Sequence, residues 1–279
     1  MTVSPSSLPS ATLLNGRRVA PTTLPKPAVR APGIELRSWV LAVVAGWVDA
    51  TGFVALGGLF VANMSGNMVA LGAHFGQGQW HLGWSHLVAL PVFAFGIFLG
   101  SLWMLRPGVR RPKRWIFVME AALLVAMAVV LSTNLAPARD SLRFWMTAVP
   151  AFLAMGLQNA TMRRVGALTV HTTFMTGMLS LCAVQAAQTW TWWRLRTRGR
   201  GALRRQRAWR VLGRQSCAVQ GIQAAGLWLV YTTGALTGSV GLLRVGSISL
   251  AVPVVALLGL AVASASPPGG PETNAPARR

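Results

Sequence analysis

A chain of 279 residues that is 53% hydrophobic and 11% charged, with mean hydropathy +0.50, departs from a soluble domain, where about 25% of residues are charged. Lys and Arg number 26 against five acids, a net charge of +21. They cluster between apolar runs, which argues against a nucleic-acid partner and for loops held at anionic headgroups by positive-inside bias.

Residues 1–35 read as a disordered, basic, Pro-rich tail. Pro5, Pro9, Pro21, Pro25, Pro27 and Pro32 break any helix, and the apolar h-region of about 7–15 residues that a secretory signal needs is missing. Arg17, Arg18, Lys26, Arg30 and Arg37 favour a cytoplasmic N-terminus. A membrane domain over 36–264 follows. Its first predicted span, Ser38 to Leu56, is close to the roughly 20 residues a crossing helix needs and carries Asp49 two-thirds of the way along. Gly57 and Gly58 break it. A short segment from Phe60 to Phe75 is interrupted at Asn63, Ser65, Gly66 and Asn67. The span from Leu82 to Leu105 contains Pro91 and Gly96-x-x-x-Gly100-Ser101, a small-residue repeat that permits close helix packing.

Arg106, Arg110, Arg111, Lys113 and Arg114 form a basic cluster, and a span from Trp115 to Ser132 carries Glu120 near its start. Glu120 reads equally as a near-interface partner of Arg114 or as functional. After a weakly charged loop around Arg139 and Asp140, the span Arg143 to Met162 holds Asn159 and ends at Arg163-Arg164. The segment Ala167 to Trp190 concentrates Thr169, His171, Thr172, Thr173, Thr176 and Gly177 in its first half. Residues 192–217 hold nine arginines and no acid, with Trp190, Trp192, Trp193 and Trp209 beside them. That is the composition of an interface belt in preference to a single-strand stacking surface. Two spans close the domain, Ala218 to Val240 with Gly234-x-x-x-Gly238-Ser239, and Val245 to Ala263. Residues 265–279 are a second disordered tail. Cys182 and Cys217 lie in or beside apolar runs without metal-ligand spacing, so no disulfide and no metal site is expected.

Two stretches match. Gly46-x-x-Asp49-Ala50-Thr51 parallels Gly156-x-x-Asn159-Ala160-Thr161, and Met64-Ser65-Gly66 parallels Met175-Thr176-Gly177. The glycine repeats at Gly96 and Gly234 extend the parallel to whole halves, about 38–132 and 143–263. Eight full crossings would put the Arg106 cluster outside, against the charge rule. If the two short segments enter and leave on one side, six crossings remain, three per half, and the halves insert in opposite directions as in many secondary transporters. If both short segments cross, the protein has eight helices in parallel repeats. The fold class is therefore all-α: a polytopic helical membrane protein with two related halves, six full spans plus two short or broken helices, eight helical segments in all.

Gly46-Trp47-Val48-Asp49-Ala50, Phe60 through Asn67, Gly156-Leu157-Gln158-Asn159-Ala160, Arg163-Arg164, Thr172-Thr173, Thr176-Gly177 and Gly234 through Gly238 together resemble the YoaK family of bacterial integral membrane proteins. The resemblance covers about Trp39 to Ala263. Ser65 stands where the family usually has Thr and keeps the hydroxyl, and the arginine loop is larger than usual. The resemblance implies a multi-span bacterial inner-membrane protein and supplies no substrate or reaction.

Asp49 is the sharpest residue. A carboxylate at a helix centre costs roughly 2.5–3.5 kcal/mol on the lenient insertion scale. It reads either as a coupling carboxylate or as a carboxyl bonded to a neighbouring helix's backbone. The candidate substrate- or ion-binding set is Asp49, Asn63, Ser65, Asn67, Asn159, Thr173 and Thr176, with helix breaks at Gly57, Gly58, Gly66 and Gly177. His171 reads as a proton relay or a packed histidine. No catalytic residue is assigned, because Ser65 lacks a nucleophile turn, and no nucleotide, zinc-protease or other cofactor signature is present. Two functions remain: a secondary transporter or permease for a small polar or ionic solute, and a non-transporting scaffold, with an intramembrane enzyme the poorest fit. Expected partners are the bilayer and a second copy packed through Gly96, Gly100, Gly234 and Gly238.

Overall fold

The computed structural model describes residues 13–14, 17–18 and 36–264, except 108, 110–111, 140, 162–174, 199–201 and 214. Nine helices occur among these residues: α1 Leu36–Ala55, α2 Met64–Gly76, α3 Trp80–Leu105, α4 Pro112–Thr133, α5 Leu142–Thr161, α6 Met175–Thr197, α7 Ala202–Leu212, α8 Ser216–Val245 and α9 Ala251–Ala263. A 3-10 turn, Gly246–Leu250, joins the last two. In the N-terminal tail, two-residue strands Leu13–Leu14 and Arg17–Arg18 pair antiparallel. The arginine-rich stretch is mostly helical, because α6 runs on to Thr197 and α7 follows it.

Among the described residues, four stretches are long and apolar enough to cross a membrane: Leu36–Ala55, Trp80–Leu105, Pro112–Thr133 and Ser216–Ala263. Their outer faces carry exposed Phe95, Phe98, Leu102, Val129, Leu236, Val255 and Val262, more apolar surface than a soluble monomer shows. The 20-residue α5 packs against α3, α4 and α1 and buries Thr147 and Gln158. The main apolar core lies among α1, α4, α5 and α9, around Val48, Phe117, Leu124, Phe144, Phe152 and Leu257. At 13 residues, α2 is about 20 Å long, short of the roughly 30 Å hydrocarbon core.

Side-chain contacts order the two ends of the bundle. Arg139, between α4 and α5, donates to the Gly57 carbonyl after α1 and to Ser85 Oγ (3.1 Å) near the start of α3. The end of α1, the turn from α2 to α3 and the α4–α5 loop therefore share one end. The opposite end holds the start of α1, the end of α3 and the start of α4, with Arg37, Arg106, Lys113 and Arg114. The segment 57–63 turns back into the bundle after α1, and α2 returns to the end it came from. Met178, one turn into α6, packs with Ala42, Ala224 and Leu227. Gln185, two turns on, bonds Gln220 near the start of α8 at 2.9 Å. So the described part of α6 runs from inside the bundle outward along the first turns of α8, towards the arginine-rich end.

Candidate functional site

The site grows from the break in α1. Gly57 and Gly58 have φ of 60° and 95°, a region glycine alone enters cheaply, and Gly58 N–H closes the helix on the Phe53 carbonyl at 2.8 Å. The chain then descends unwound beside α1. Backbone groups there have no helical partners and no water in lipid, so each needs another acceptor or donor. Asp49 Oδ1 accepts from Val61 N–H at 2.9 Å and Ala62 N–H at 2.8 Å. Its other oxygen accepts from the Tyr231 hydroxyl of α8 at 2.7 Å. The fully buried Asn67 completes the bracket: Oδ1 accepts from Phe60 N–H (3.1 Å) and Nδ2 donates to Phe60 C=O (2.7 Å). Asn63 caps α2, accepting from Gly66 N–H at 3.4 Å and from Ser65 Oγ at 2.8 Å.

A second layer lies behind Asn67. His86 Nδ1 is 3.1 Å from Asn67 Oδ1. That oxygen is an acceptor, so the network assigns the ring hydrogen to Nδ1 and leaves Nε2 buried without a partner. The His86 ring stacks on His74, with centroids 5.3 Å apart. Arg139 lies outside the spans, and partial burial lowers its pKa from the ordinary arginine value.

Two helix crossings frame the site. A Cβ on Gly46 would meet the Tyr231 carbonyl oxygen at 2.1 Å, one on Gly234 the Val43 oxygen at 2.3 Å, and one on Gly238 the Trp47 oxygen at 2.6 Å. In the other crossing, a Cβ on Gly156 would meet the Phe93 oxygen at 2.5 Å and one on Gly96 the Leu153 oxygen at 2.8 Å. Register is shared: Gly46 meets the residue three before Gly234, and Gly156 meets the residue three before Gly96. The contacts make α1 parallel to α8 and α3 parallel to α5, the two pairs running in opposite senses. At the matched positions, Asp49 facing Tyr231 becomes Asn159 with Phe93, a pair in which neither member brings a carboxylate or a hydroxyl.

Several expectations change. Gly66 and Gly177 lie inside α2 and α6 and break neither helix. At Gly66, hydrogen in place of Cβ admits the Phe60 ring, which a Cβ would meet at 2.8 Å. Gly96, Gly100, Gly234 and Gly238 are spent on contacts within the chain, so they do not offer a surface to a second copy. Glu120 makes no bond to Arg114 and has both oxygens buried without a partner. Ser65 is exposed and bonds Asn63, Thr176 is exposed, and Asn159 is half-buried. Thr173 and His171 lie outside the described residues. Tyr231 and His86 were missed. Tyr231 had one signal, being the chain's sole tyrosine three residues before a glycine repeat, whereas His86 sits in an apolar run that names no partner. A separate apolar cavity of about 680 Å³ between α6, α7 and α8, lined by Cys182, Trp190, Trp193 and Trp209, does not include Asp49 or Asn67.

Apolar outer faces around a buried, side-chain-bracketed loop define a polytopic helical membrane protein. Residues 38–263 match the family described as "Protein of unknown function (DUF1275)", and the chain belongs to it. A curated relative, "UPF0700 transmembrane protein YoaK" of Bacillus subtilis (strain 168), is 28% identical over 142 residues, which span 50% of this chain and 62% of that protein. The match therefore covers less than two thirds of the relative's length. No solved structure matches the chain.

Proposed function

We propose that this bacterial membrane protein is a secondary carrier or permease for a small polar or ionic solute, built from two inverted repeats and without enzymatic activity. The observation that carries the reading is the unwound segment Leu59–Asn63, held inside the bundle by Asp49 and Asn67. Broken backbone at membrane depth is tolerated where protein buries it or where it lines a wet cavity, and carriers place their sites at such breaks. Support for the repeat comes from the shared register of the two glycine crossings and their opposite senses. In this reading α2 and α6 are the paired helices after the matched motifs, each running to a different end; α2 is short at 13 residues, whereas α6, expected to be short, has 23.

The competing reading is a scaffold, and one observation favours it: Asp49 is already occupied by three donors. A thermal-shift screen of purified protein against ions and small metabolites separates the two. A solute that binds only the folded state stabilises by about 2.7 kcal/mol at a hundred times its dissociation constant. We expect at least one solute to raise the melting temperature, whereas a flat response across the panel would put the scaffold ahead.

Orientation follows from charge. The end with Arg37, Arg106, Lys113 and Arg114 also receives the end of α6 with Arg194 and Arg196, and positive-inside bias makes it cytoplasmic. Its basic side chains would meet anionic headgroups. Reporter fusions at Gly201 and Gly269 should be active only with a cytoplasmic reporter. A periplasm-only reporter that works at either position reverses the assignment.

A further inference from the structure

We infer that Glu120, and not Asp49, is the carboxyl that binds and releases a proton in this protein. The inference deepens the carrier reading and rests on it for its purpose, though not for its chemistry. Glu120 lies on α4, eight residues from the helix start, and is 0% exposed. Neither oxygen has a hydrogen-bond partner. Its neighbours one turn either way, Phe117 and Leu124, belong to the main apolar core together with Leu257, Leu260 and Met155.

Among the described residues, the elements packed on α4 place no counter-charge beside Glu120. The helix α9 and the 3-10 turn before it contain no titratable residue. On α5 the only one is Arg143, at the far end, where it donates to Thr133. On α3 they are His81 and His86, at the opposite end of the bundle from the start of α4. On α4 itself, Lys113 and Arg114 sit in the first turn, and Arg106 caps the end of α3 nearby. An ionised carboxylate in such surroundings is heavily penalised, and the neutral acid is the form a closed core tolerates. Even the neutral acid has an O–H with no acceptor. An unsatisfied buried group is a standing cost that native structures keep where it serves a purpose, and intramembrane acids mark ion and proton paths.

Asp49 offers the contrast. Val61, Ala62 and Tyr231 satisfy it, so its charge is already met by three donors, and a proton on Oδ2 would have to turn the Tyr231 hydroxyl from donor to acceptor. At Glu120 the step is simple proton transfer with water: a carboxylate oxygen takes a proton from hydronium, which leaves as water, and the O–H bond breaks again when the proton returns to a water molecule. No electrons change hands.

Infrared spectroscopy of the full chain in detergent reads the protonated form directly, and the chain holds only five acids. At neutral pH the wild type should show a protonated-carboxyl C=O band. The band should vanish in Glu120→Gln and persist in Asp49→Asn. Absence of the band, or its loss in Asp49→Asn alone, overturns the inference. Should Glu120→Gln fail to fold, Glu120→Leu removes the unpaired atoms and should melt above wild type; a lower melting temperature means Glu120 makes a stabilising contact, and the inference falls. Proteoliposomes with an internal pH dye test the carrier reading separately. A Glu120 band with no wild-type proton flux under an imposed pH gradient keeps the proton site and removes proton coupling from the carrier reading.

Discussion

Asp49→Ala should eliminate most folded protein, while Asp49→Asn should leave it nearly intact. The alanine strands Val61 N–H, Ala62 N–H and the Tyr231 hydroxyl inside the bundle. Each unpaired buried donor costs about 1–3 kcal/mol, so the sum is on the order of 5 kcal/mol, a large part of the roughly 5–15 kcal/mol that holds a domain together. Asparagine keeps an oxygen for the two amides, and the Tyr231 hydroxyl can rotate to accept from the new NH2, so the change costs about 1 kcal/mol. Tyr231→Phe falls between, at about 1.5–3 kcal/mol for a bond to a charged group. Yield of monodisperse protein and melting temperature in detergent measure all three. Equal losses for Asp49→Ala and Asp49→Asn would mean that charge, and not the loop's hydrogen bonds, is what matters. The same variants bear on transport. If Asp49 only brackets the loop, driven uptake in Asp49→Asn falls in proportion to folded protein. Loss of driven uptake with folding unchanged would return the coupling role to Asp49.

Gly46→Ala should be as damaging as Asp49→Ala, by a different cause. The new Cβ would lie 2.1 Å from the Tyr231 carbonyl oxygen. That atom is backbone, so it cannot swing away; α8 as a whole must retreat from α1. Overpacking a core usually costs about 1–3 kcal/mol and occasionally more, and a backbone clash this close belongs at the top of that range or above it. The shift also pulls Tyr231 from Asp49, which couples this variant to the first. Gly156→Ala, 2.5 Å from the Phe93 oxygen, should lose a similar amount without touching the bracket. Gly72→Ala is the control: nothing lies within 4 Å of its Cβ, and alanine favours the helix by about 1 kcal/mol. Melting of Gly46→Ala at the wild-type temperature would show that the two helices do not pack as closely as described.

Part of this site was legible in the residue order. Asp49 stood out because acids are expensive in an apolar run, Gly57-Gly58 because paired glycines end helices, and Gly46, Gly96, Gly156 and Gly234 because their spacing recurs. Gly66 and Gly177 were misread as breaks. A glycine that ends a helix and one that admits a neighbour look alike in sequence, and at Gly66 the neighbour is the Phe60 ring. Sequence distance leaves Glu120 equally a partner of Arg114 or a functional acid, and packing removes the first reading, because the side chain turns into the core and finds no partner.

Residue order by itself determined a polytopic helical membrane protein, its short second segment and the polar residues inside it, since lipid forbids scattered charge and demands long apolar runs. Tertiary packing decided which polar groups meet. Asp49 and Tyr231 are 182 positions apart, and Gln158 donates to the Leu41 carbonyl across 117. The partners of a buried donor or acceptor are set by which helices cross and in what register, and those crossings depend on backbone approach at glycines that local composition does not pair.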